Sequence, residues 1–359
     1  MKFSCTQENL LQGLILTSRV AARAGNLPIL SNIHISAQKD GVVFKATNLE
    51  IGVTVKMRGM VEEEGEFTAP AKLLTDYVTF LPKDTVTVTL KNGALAVSCG
   101  KHKTAIKGMP AVDFPLIPAI EQGETWSVTT GALREGLEQV LLAISPTETR
   151  PEISGAFLQL ADKTLTLAGT DSYRLAEKKL LTEGGGKQSL QVIAPLRGLQ
   201  ELARILTGIE QAEVVKLTVS ANQIAAQVNG VEFISRLIDG QYPDYKAIVP
   251  ANFAVRAEVS RSELISALKT AGLFSKAGVY DVALTFDSAQ SALNVRALNS
   301  QTGEHESTLA AEVAGAGPLT VAFNWKYLLD GAQALLSDKI VIKAGDSAAP
   351  TKLEEKNSS

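Results

Sequence analysis

Histidine and cysteine are nearly missing from this 359-residue chain, at three and two residues, and that scarcity closes most routes to catalysis. His34, His102 and His305 lie in distant segments with no cysteine or carboxylate pattern around them, so neither a metal centre nor an acid–base pair is expected. P-loop, dinucleotide, HExxH and GxSxG patterns are all lacking. Gly184-Gly185-Gly186 has no Lys/Ser helix context after it and reads as a hairpin tip. Asp113 and Asp171 sit in separate, turn-like settings and do not make a carboxylate pair. The chain is therefore not expected to be an enzyme, and no catalytic residue, metal or cofactor is expected. Cys5 and Cys99 stand in strand-like apolar contexts without redox spacing, as buried free thiols of a reducing compartment do.

Long apolar runs are also missing. No stretch reaches bilayer-spanning length, and Met1-Lys2-Phe3-Ser4-Cys5 lacks the apolar core and small-residue cleavage site of a secretory leader. The expectation is a soluble, cytoplasmic protein with no membrane partner. Net charge is -3, which excludes a uniformly basic nucleic-acid binder but not a basic surface on an acidic molecule. Hydrophobic residues make up 45%, enough for several cores and too many for a disordered chain.

What the chain does contain is a repeat, at a spacing of about 125 residues. Ala69-Pro70-Ala71-Lys72-Leu73-Leu74 returns as Ala194-Pro195-Leu196-Arg197-Gly198-Leu199, and more faintly as Phe323-Asn324-Trp325-Lys326-Tyr327-Leu328. The first copy ends in Asp113-Phe114-Pro115-Leu116-Ile117-Pro118 and the second in Asp244-Tyr245-Lys246-Ala247-Ile248-Val249-Pro250. Three domains are expected, over 1–120, 121–252 and 253–346, with a polar tail over 347–359.

Each copy opens with a strand and an amphipathic helix. Leu10, Leu14, Thr17 and Val20 mark the first helix, over 9–22, and Leu133, Leu137, Val140 and Ile144 the second. In the third, Ser260-Arg261-Ser262-Glu263 has the form of a capping box before Leu264 and Leu268. Hairpin-linked strands follow, at 33–37 with 42–47, 157–160 with 164–168, and 282–286 with 293–297. A second helix starts at each refrain. Another hairpin then closes the first copy, with Asn92-Gly93 as its turn. The fold class is α+β: three topologically equivalent domains, each an antiparallel sheet carrying two helices. Sheet edges left open at both ends must pair elsewhere, and head-to-tail pairing that closes makes a ring.

Cations recur on the repeated helices: Arg19 and Arg23 near the end of the first, then Lys72, Arg134, Arg197, Arg204, Lys269 and Lys326. Each alone is what a solvated helix face carries, and acidic neighbours such as Glu135, Glu201 and Asp330 dilute them. Their recurrence in equivalent helices shifts the balance. Modest charges facing a common centre sum to a phosphate-attracting surface without any base-reading group.

Four ordered islands then give the chain a resemblance. They are Leu27-Pro28-Ile29-Leu30-Ser31-Asn32, Thr170-Asp171-Ser172-Tyr173-Arg174-Leu175-Ala176, Asp239-Gly240-Gln241-Tyr242-Pro243-Asp244-Tyr245 and Asn324-Trp325-Lys326-Tyr327-Leu328-Leu329. On these the sequence resembles the bacterial DNA polymerase III beta subunit, or sliding clamp, family through residue 346 or so. The resemblance implies three clamp domains per chain and a head-to-tail homodimer ringed around double-stranded DNA. It also implies a processivity factor without catalytic residues, which binds DNA regardless of sequence. Implied partners are the replicative polymerase alpha subunit, the clamp-loader complex and other peptides carrying a clamp motif.

Carried over residue by residue, the family's peptide pocket falls on Ile153, Thr170, Ser172, Tyr173, Arg174, Leu175, Pro243, Ala247, Ile248, Asn324, Tyr327, Ala348 and Pro350. Ala247 stands where the family usually has a basic residue. The implied DNA contacts are Arg23, Arg150 and Lys276 first, then Arg19, Lys72, Arg134, Arg197, Lys269 and Lys326. The implied dimer interface sets Lys103, Thr104 and Ile106 against Leu273 and Phe274, with Thr104 replacing a common aromatic. The largest departure is the polar end, Lys352-Leu353-Glu354-Glu355-Lys356, where the family has an extended apolar strand. The third sheet is accordingly expected to lack its last strand, and the pocket one wall. Two readings rank lower: a scaffold that kept the fold and lost DNA tethering, and an enzyme with a ligand cleft between domains.

Overall fold

Thr85–Lys91 alternates buried valines with exposed or half-buried threonines, the pattern of a strand with one covered face. It runs into Asn92 and Gly93, at φ 49° and 72°, and returns antiparallel through Ala94–Cys99. Both turn residues are left-handed, as the tight hairpin turn that matches strand twist requires. The computed structural model describes every residue except 22–26, 121, 148, 186–188, 210–212, 277, 316, 348 and 357–359.

In the first repeat the elements are β1 (Lys2–Thr6), α1 (Gln7–Ser18), β2 (Asn32–Gln38), β3 (Gly41–Thr47), β4 (Ile51–Met57) and β5 (Met60–Glu63). β6 (Gly65–Pro70), α2 (Ala71–Thr79), β7 (Thr85–Lys91), β8 (Ala94–Cys99) and β9 (His102–Lys107) complete it. The second repeat has β10 (Glu124–Thr129), α3 (Thr130–Leu141), β11 (Gly155–Ala161), β12 (Thr164–Thr170), β13 (Leu175–Leu181) and β14 (Glu183–Gly184). It ends with β15 (Leu190–Pro195), α4 (Leu196–Thr207), β16 (Val214–Val219), β17 (Gln223–Val228) and β18 (Val231–Arg236). The third has β19 (Val255–Ser260), α5 (Arg261–Gly272), β20 (Asp281–Asp287), β21 (Ala292–Asn299) and β22 (Gly303–Gly315). After these come β23 (Leu319–Asn324), α6 (Trp325–Ala334), β24 (Lys339–Ala344) and β25 (Lys352–Glu355).

The same capping chemistry starts the first helix of every repeat. Thr6, Thr129 and Ser260 each accept the amide three residues on, from Asn9, Ala132 and Glu263, at 3.2, 3.4 and 3.4 Å. The refrain also has a local cause. Pro70 and Pro195 end a strand at the N-cap position, and Asn324 does so with its side chain, accepting from Lys326 N at 3.0 Å. α1 stops at Ser18, short of the span expected from periodicity, although Val20 beyond it is buried.

The strands of the first two repeats divide into half-sheets. In the first, β5-β1-β7-β8-β9 stands apart from β4-β3-β2-β6; in the second, β14-β10-β16-β17-β18 stands apart from β13-β12-β11-β15. β18 pairs with β4, from Val231 opposite Val55 to Ser235 opposite Ile51, and so fuses one half-sheet of each repeat into a nine-stranded sheet. In the third repeat the thirteen-residue β22 passes from β21 to β19, and seven strands run continuously as β23-β20-β21-β22-β19-β24-β25. The chain accordingly forms two compact units: Met1–Asp171 with Glu177–Tyr242, and Ser172–Ala176 with Pro243–Ser359. The core of the second unit centres on Leu264, Leu268, Phe286, Leu293, Val295, Ile340 and Ile342, each such side chain contributing about 1.5–3 kcal/mol when fully buried.

The chain end corrects the sequence reading. Lys352–Glu355 is a strand, antiparallel on β24 from Ile340 opposite Glu355 to Lys343 opposite Lys352. Only Leu353 packs on the core, so composition hides the strand. Charge supplies the rest: Lys343 and Lys352 hold Glu354, and the following Lys356 reaches Glu258 of β19 at 2.5 Å. An edge strand needs apolar contact on one face only, and a polar sequence suffices where its charges are met.

Both cysteines are free and buried, and burial pushes the Cys5 thiol up to about 12. No helix among the described residues is long and apolar enough to cross a membrane.

Candidate functional site

In the second unit, the segment Ser172–Ala176 meets α6. Ser172 takes φ 75°, a sharp turn after which Arg174 lies along the helix. Arg174 Nη1 donates to Asp330 Oδ2 at 2.6 Å, and its guanidinium carbon sits 4.5 Å from the Tyr327 ring centroid. Tyr327 and Asp330 are three apart on α6 and share one face, so a single guanidinium meets both. The Tyr173 ring lies 6.4 Å from Tyr327 and is 83% exposed. Arg174, expected only as a handle for a bound peptide, is thus already engaged by its own fold. In sequence terms Asp330 is only an acidic neighbour of the helix cations; its pairing with Arg174 escaped sequence reasoning, since nothing local links residues so far apart.

The remaining pocket candidates of this unit are distributed around the same fold. Leu175 begins β13 half-buried, and Asn324 caps α6. Pro243, Ala247 and Ile248 are exposed on a segment anchored by buried Tyr245. Pro350 is exposed ahead of β25, and Ala348 lies outside the described residues. Ile153 and Thr170 belong to the other unit. There Ile153 is buried in a short 3-10 turn, and Thr170 O accepts from Ser145 N at 3.3 Å. Near them Tyr242 packs on Phe157 at 5.3 Å, and burial pushes its phenol up to about 12 against the pull of the Thr170 backbone. The second unit thus has an aromatic face beside a charged pair, and separately an exposed isoleucine and a rigid proline, residue types suited to an extended apolar peptide.

The cations divide by surroundings. Arg19, Arg197, Lys269 and Lys276 are exposed, at the end of α1, the start of α4, the last turn of α5 and the loop after it. Lys72 pairs with Asp76 at 2.6 Å, Arg150 with Glu152 at 3.2 Å, and Arg134 with Glu138 at 3.9 Å. Lys326 projects its ammonium over the Tyr280 ring at 3.6 Å. Arg204 binds Glu201 and donates to Leu16 O at 3.1 Å, joining α4 to α1 rather than facing solvent. Arg23 lies outside the described residues.

Of the interface candidates, Lys103 is exposed and Thr104 half-buried on the edge strand β9, whereas Ile106 is 4% exposed and packs into its own core. Leu273 is 75% exposed at the end of α5, and Phe274 stacks on His305 at 5.6 Å. The sequence reading missed Phe80 and Leu73, which are exposed on α2. Their spacing is legible, but burial of one helix face over the other is not. His34 is buried against Glu66, His102 is exposed, and no group of three or more His, Cys, Asp or Glu among the described residues is placed to hold a metal ion.

Comparison with known proteins gives the family. Models of the DNA polymerase III beta subunit match in order: its N-terminal domain over residues 1–118, central domain over 127–244 and C-terminal domain over 246–359. The beta sliding clamp of Synechococcus elongatus is 31% identical, covering 98% of this chain and 95% of that protein. That of Bacillus subtilis is 26% identical, with 98% and 94% covered. Among solved structures, the Thermotoga maritima DNA polymerase III beta subunit has a TM-score of 0.92 at 25% identity, covering 100% of this chain and 96% of that one. The Bacillus subtilis sliding clamp has a TM-score of 0.93 at 26% identity, with 100% and 96% covered. By sequence along nearly its whole length, and by a fold that follows the same three-part order, this chain belongs to the DNA polymerase III beta subunit family, the beta sliding clamps.

Proposed function

We propose that two copies of this chain close head to tail around duplex DNA and act as a processivity factor, a tether rather than a catalyst. Retention comes from topology, so contacts with DNA need only be weak and blind to sequence. Tight base-specific contacts would place a barrier at every step of sliding. The observation that carries the reading is the triplicated domain built from one capping and refrain chemistry, in a chain of this family. Arg19, Arg23, Arg150, Arg197, Lys269 and Lys276 are the cations we assign to the phosphate backbone, with Lys72, Arg134 and Lys326 in support.

The partner site is assigned to the surface around Arg174, Tyr173, Tyr327, Pro243 and Ile248, which takes a short apolar peptide. The polymerase alpha subunit, the clamp loader and other proteins with such a peptide compete for it. Domain limits near 120 and 252 fit the spacing of the refrains. The deciding experiment loads the protein on a nicked circle and then linearises it. Protein should stay on the circle at moderate salt and leave the linear form by its ends. Equal loss from both would refute the reading.

A further inference from the structure

The connection between the first and second repeats does not run free. Met109 and Thr68 exchange backbone hydrogen bonds at 3.1 and 3.0 Å, and Thr68 Oγ1 donates to Met109 O at 2.9 Å. Thr68 is fully buried, and Asn32 Nδ2 donates to its hydroxyl at 2.9 Å. Farther along, the Phe114 ring lies 5.1 Å from the ring of His34. Val112 and Leu116 are exposed to solvent, whereas Phe114 and Ile117 are half-buried.

Register gives what this segment crosses. Thr68 stands opposite His34, His34 opposite Lys45, and Lys45 opposite Thr54, so all four side chains share one face of the sheet. The alternate face, with Phe44 under Gly13 of α1, belongs to the helices. Gly52, two residues before Thr54, lies on the first face opposite Ile234 of β18. That pair is part of the seam joining the two repeats. A Cβ at Gly52 would stand 2.6 Å from Ile117 Cγ2 and 3.0 Å from Ile234 Cγ2. The glycine leaves a notch in the strand, and Ile117 fills it. On the helix side, Arg204 Nη2 of α4 donates to Leu16 O of α1 at 3.1 Å, a tie between the same two repeats.

We propose that residues 108–118 are a strap, with Ile117 as its wedge, that keeps the first two repeats one rigid body while the ring opens. The inference rests on the two-chain ring proposed above, which has to open to admit DNA. Five register pairs hold β4 to β18, and a pair of strands can bend about its own axis unless something packs on a face. Bending that closes the strap face would press Ile117 into Gly52 and Ile234. It would also draw Arg204 away from Leu16. Both contacts therefore oppose one motion, the spreading of α1 from α4. Closely packed contacts switch between discrete arrangements rather than yielding continuously. Opening accordingly falls to contacts outside this seam.

The test is hydrogen exchange of the full chain, read over residues 51–55 and 231–235. Ile117→Ala should speed exchange there about tenfold and leave α5 unchanged. Leu116→Ala, at the exposed neighbour, should change neither. Gly52→Ala should also loosen the seam. Combined with Ile117→Ala it should restore much of the protection, because the added methyl occupies space the wedge has left. On nicked circles, Ile117→Ala should shorten the lifetime of the loaded protein about threefold. Seam exchange indifferent to Ile117→Ala, or losses that simply add in the double variant, would overturn the strap. A loosened seam with an unchanged lifetime on circles would overturn its part in opening. Equal loss of the wild type from circular and linear DNA would overturn the ring itself, and with it the opening role, while the exchange result still decides the strap.

Discussion

Arg174 and Asp330, 156 residues apart in sequence, form a 2.6 Å ion pair whose guanidinium also covers the Tyr327 ring. A flat, permanently charged group satisfies both partners at once, where an ammonium would satisfy one. The pair fixes the segment carrying Tyr173 onto the helix carrying Tyr327, and so orients the aromatic surface assigned to partner peptides.

Arg174→Ala should therefore weaken binding of a labelled apolar partner peptide about tenfold, below the cost of breaking a fully buried charged pair because this one is part-exposed. Arg174→Lys should restore only part of it. Fluorescence anisotropy measures both, and an unchanged affinity in Arg174→Ala would separate the ion pair from the peptide site.

His34 gives a pH dependence with a definite sign. Burial holds its imidazole below the ordinary 6.5, against the opposing pull of the Glu66 carboxylate 3.2 Å from Nε2; Lys45 on β3 adds to the lowering. The unfolded chain then takes up a proton more readily than the folded one. Stability is full above about pH 6.5 and falls as pH drops through the folded value. Urea midpoints at pH 7.5 and 5.5 should differ, and His34→Gln should shrink the difference. Equal pH sensitivity in both proteins would assign it elsewhere.

Legibility in the sequence followed locality. The Asn92-Gly93 hairpin, the Ser260 cap and the refrain helices are written in adjacent residues, and all stand in the structure. The fusion of β4 to β18 was not visible, because either strand reads as a domain edge until the other is placed beside it. β25 was missed for another reason: Lys352, Glu354 and Glu355 look solvated until Lys343 and the neighbouring strands are known. Distant charge pairs leave no period in a sequence, whereas caps and turns do.

Glu258 offers a test of that last strand. It is 4% exposed, and hydrogen bonds from Lys356 and then Lys339 hold its carboxyl below the usual carboxylate range despite burial. A lowered folded value means its contribution is present above about pH 4.5 and is lost as pH falls through the folded value. Glu258→Gln should remove the charge that draws Lys356 back to β19. Hydrogen exchange over residues 350–356 should accelerate, with α5 still protected. Unchanged protection would mean that backbone pairing and Leu353 alone hold β25.

Lys269 and Lys276 separate affinity from retention. Both are exposed cations in and after the last turn of α5, assigned here to phosphate contacts. Lys269→Ala or Lys276→Ala should weaken binding to short linear duplexes equally for every sequence, and should lower the slope of log affinity against log salt by about one each. The same variants, once closed on a circle, should persist nearly as long as the wild type, because leaving requires the ring to open rather than a contact to break. If loss from closed circles rises in step with loss of duplex affinity, grip rather than topology holds the protein. The slope on linear DNA and the lifetime on circles therefore have to be measured on one preparation.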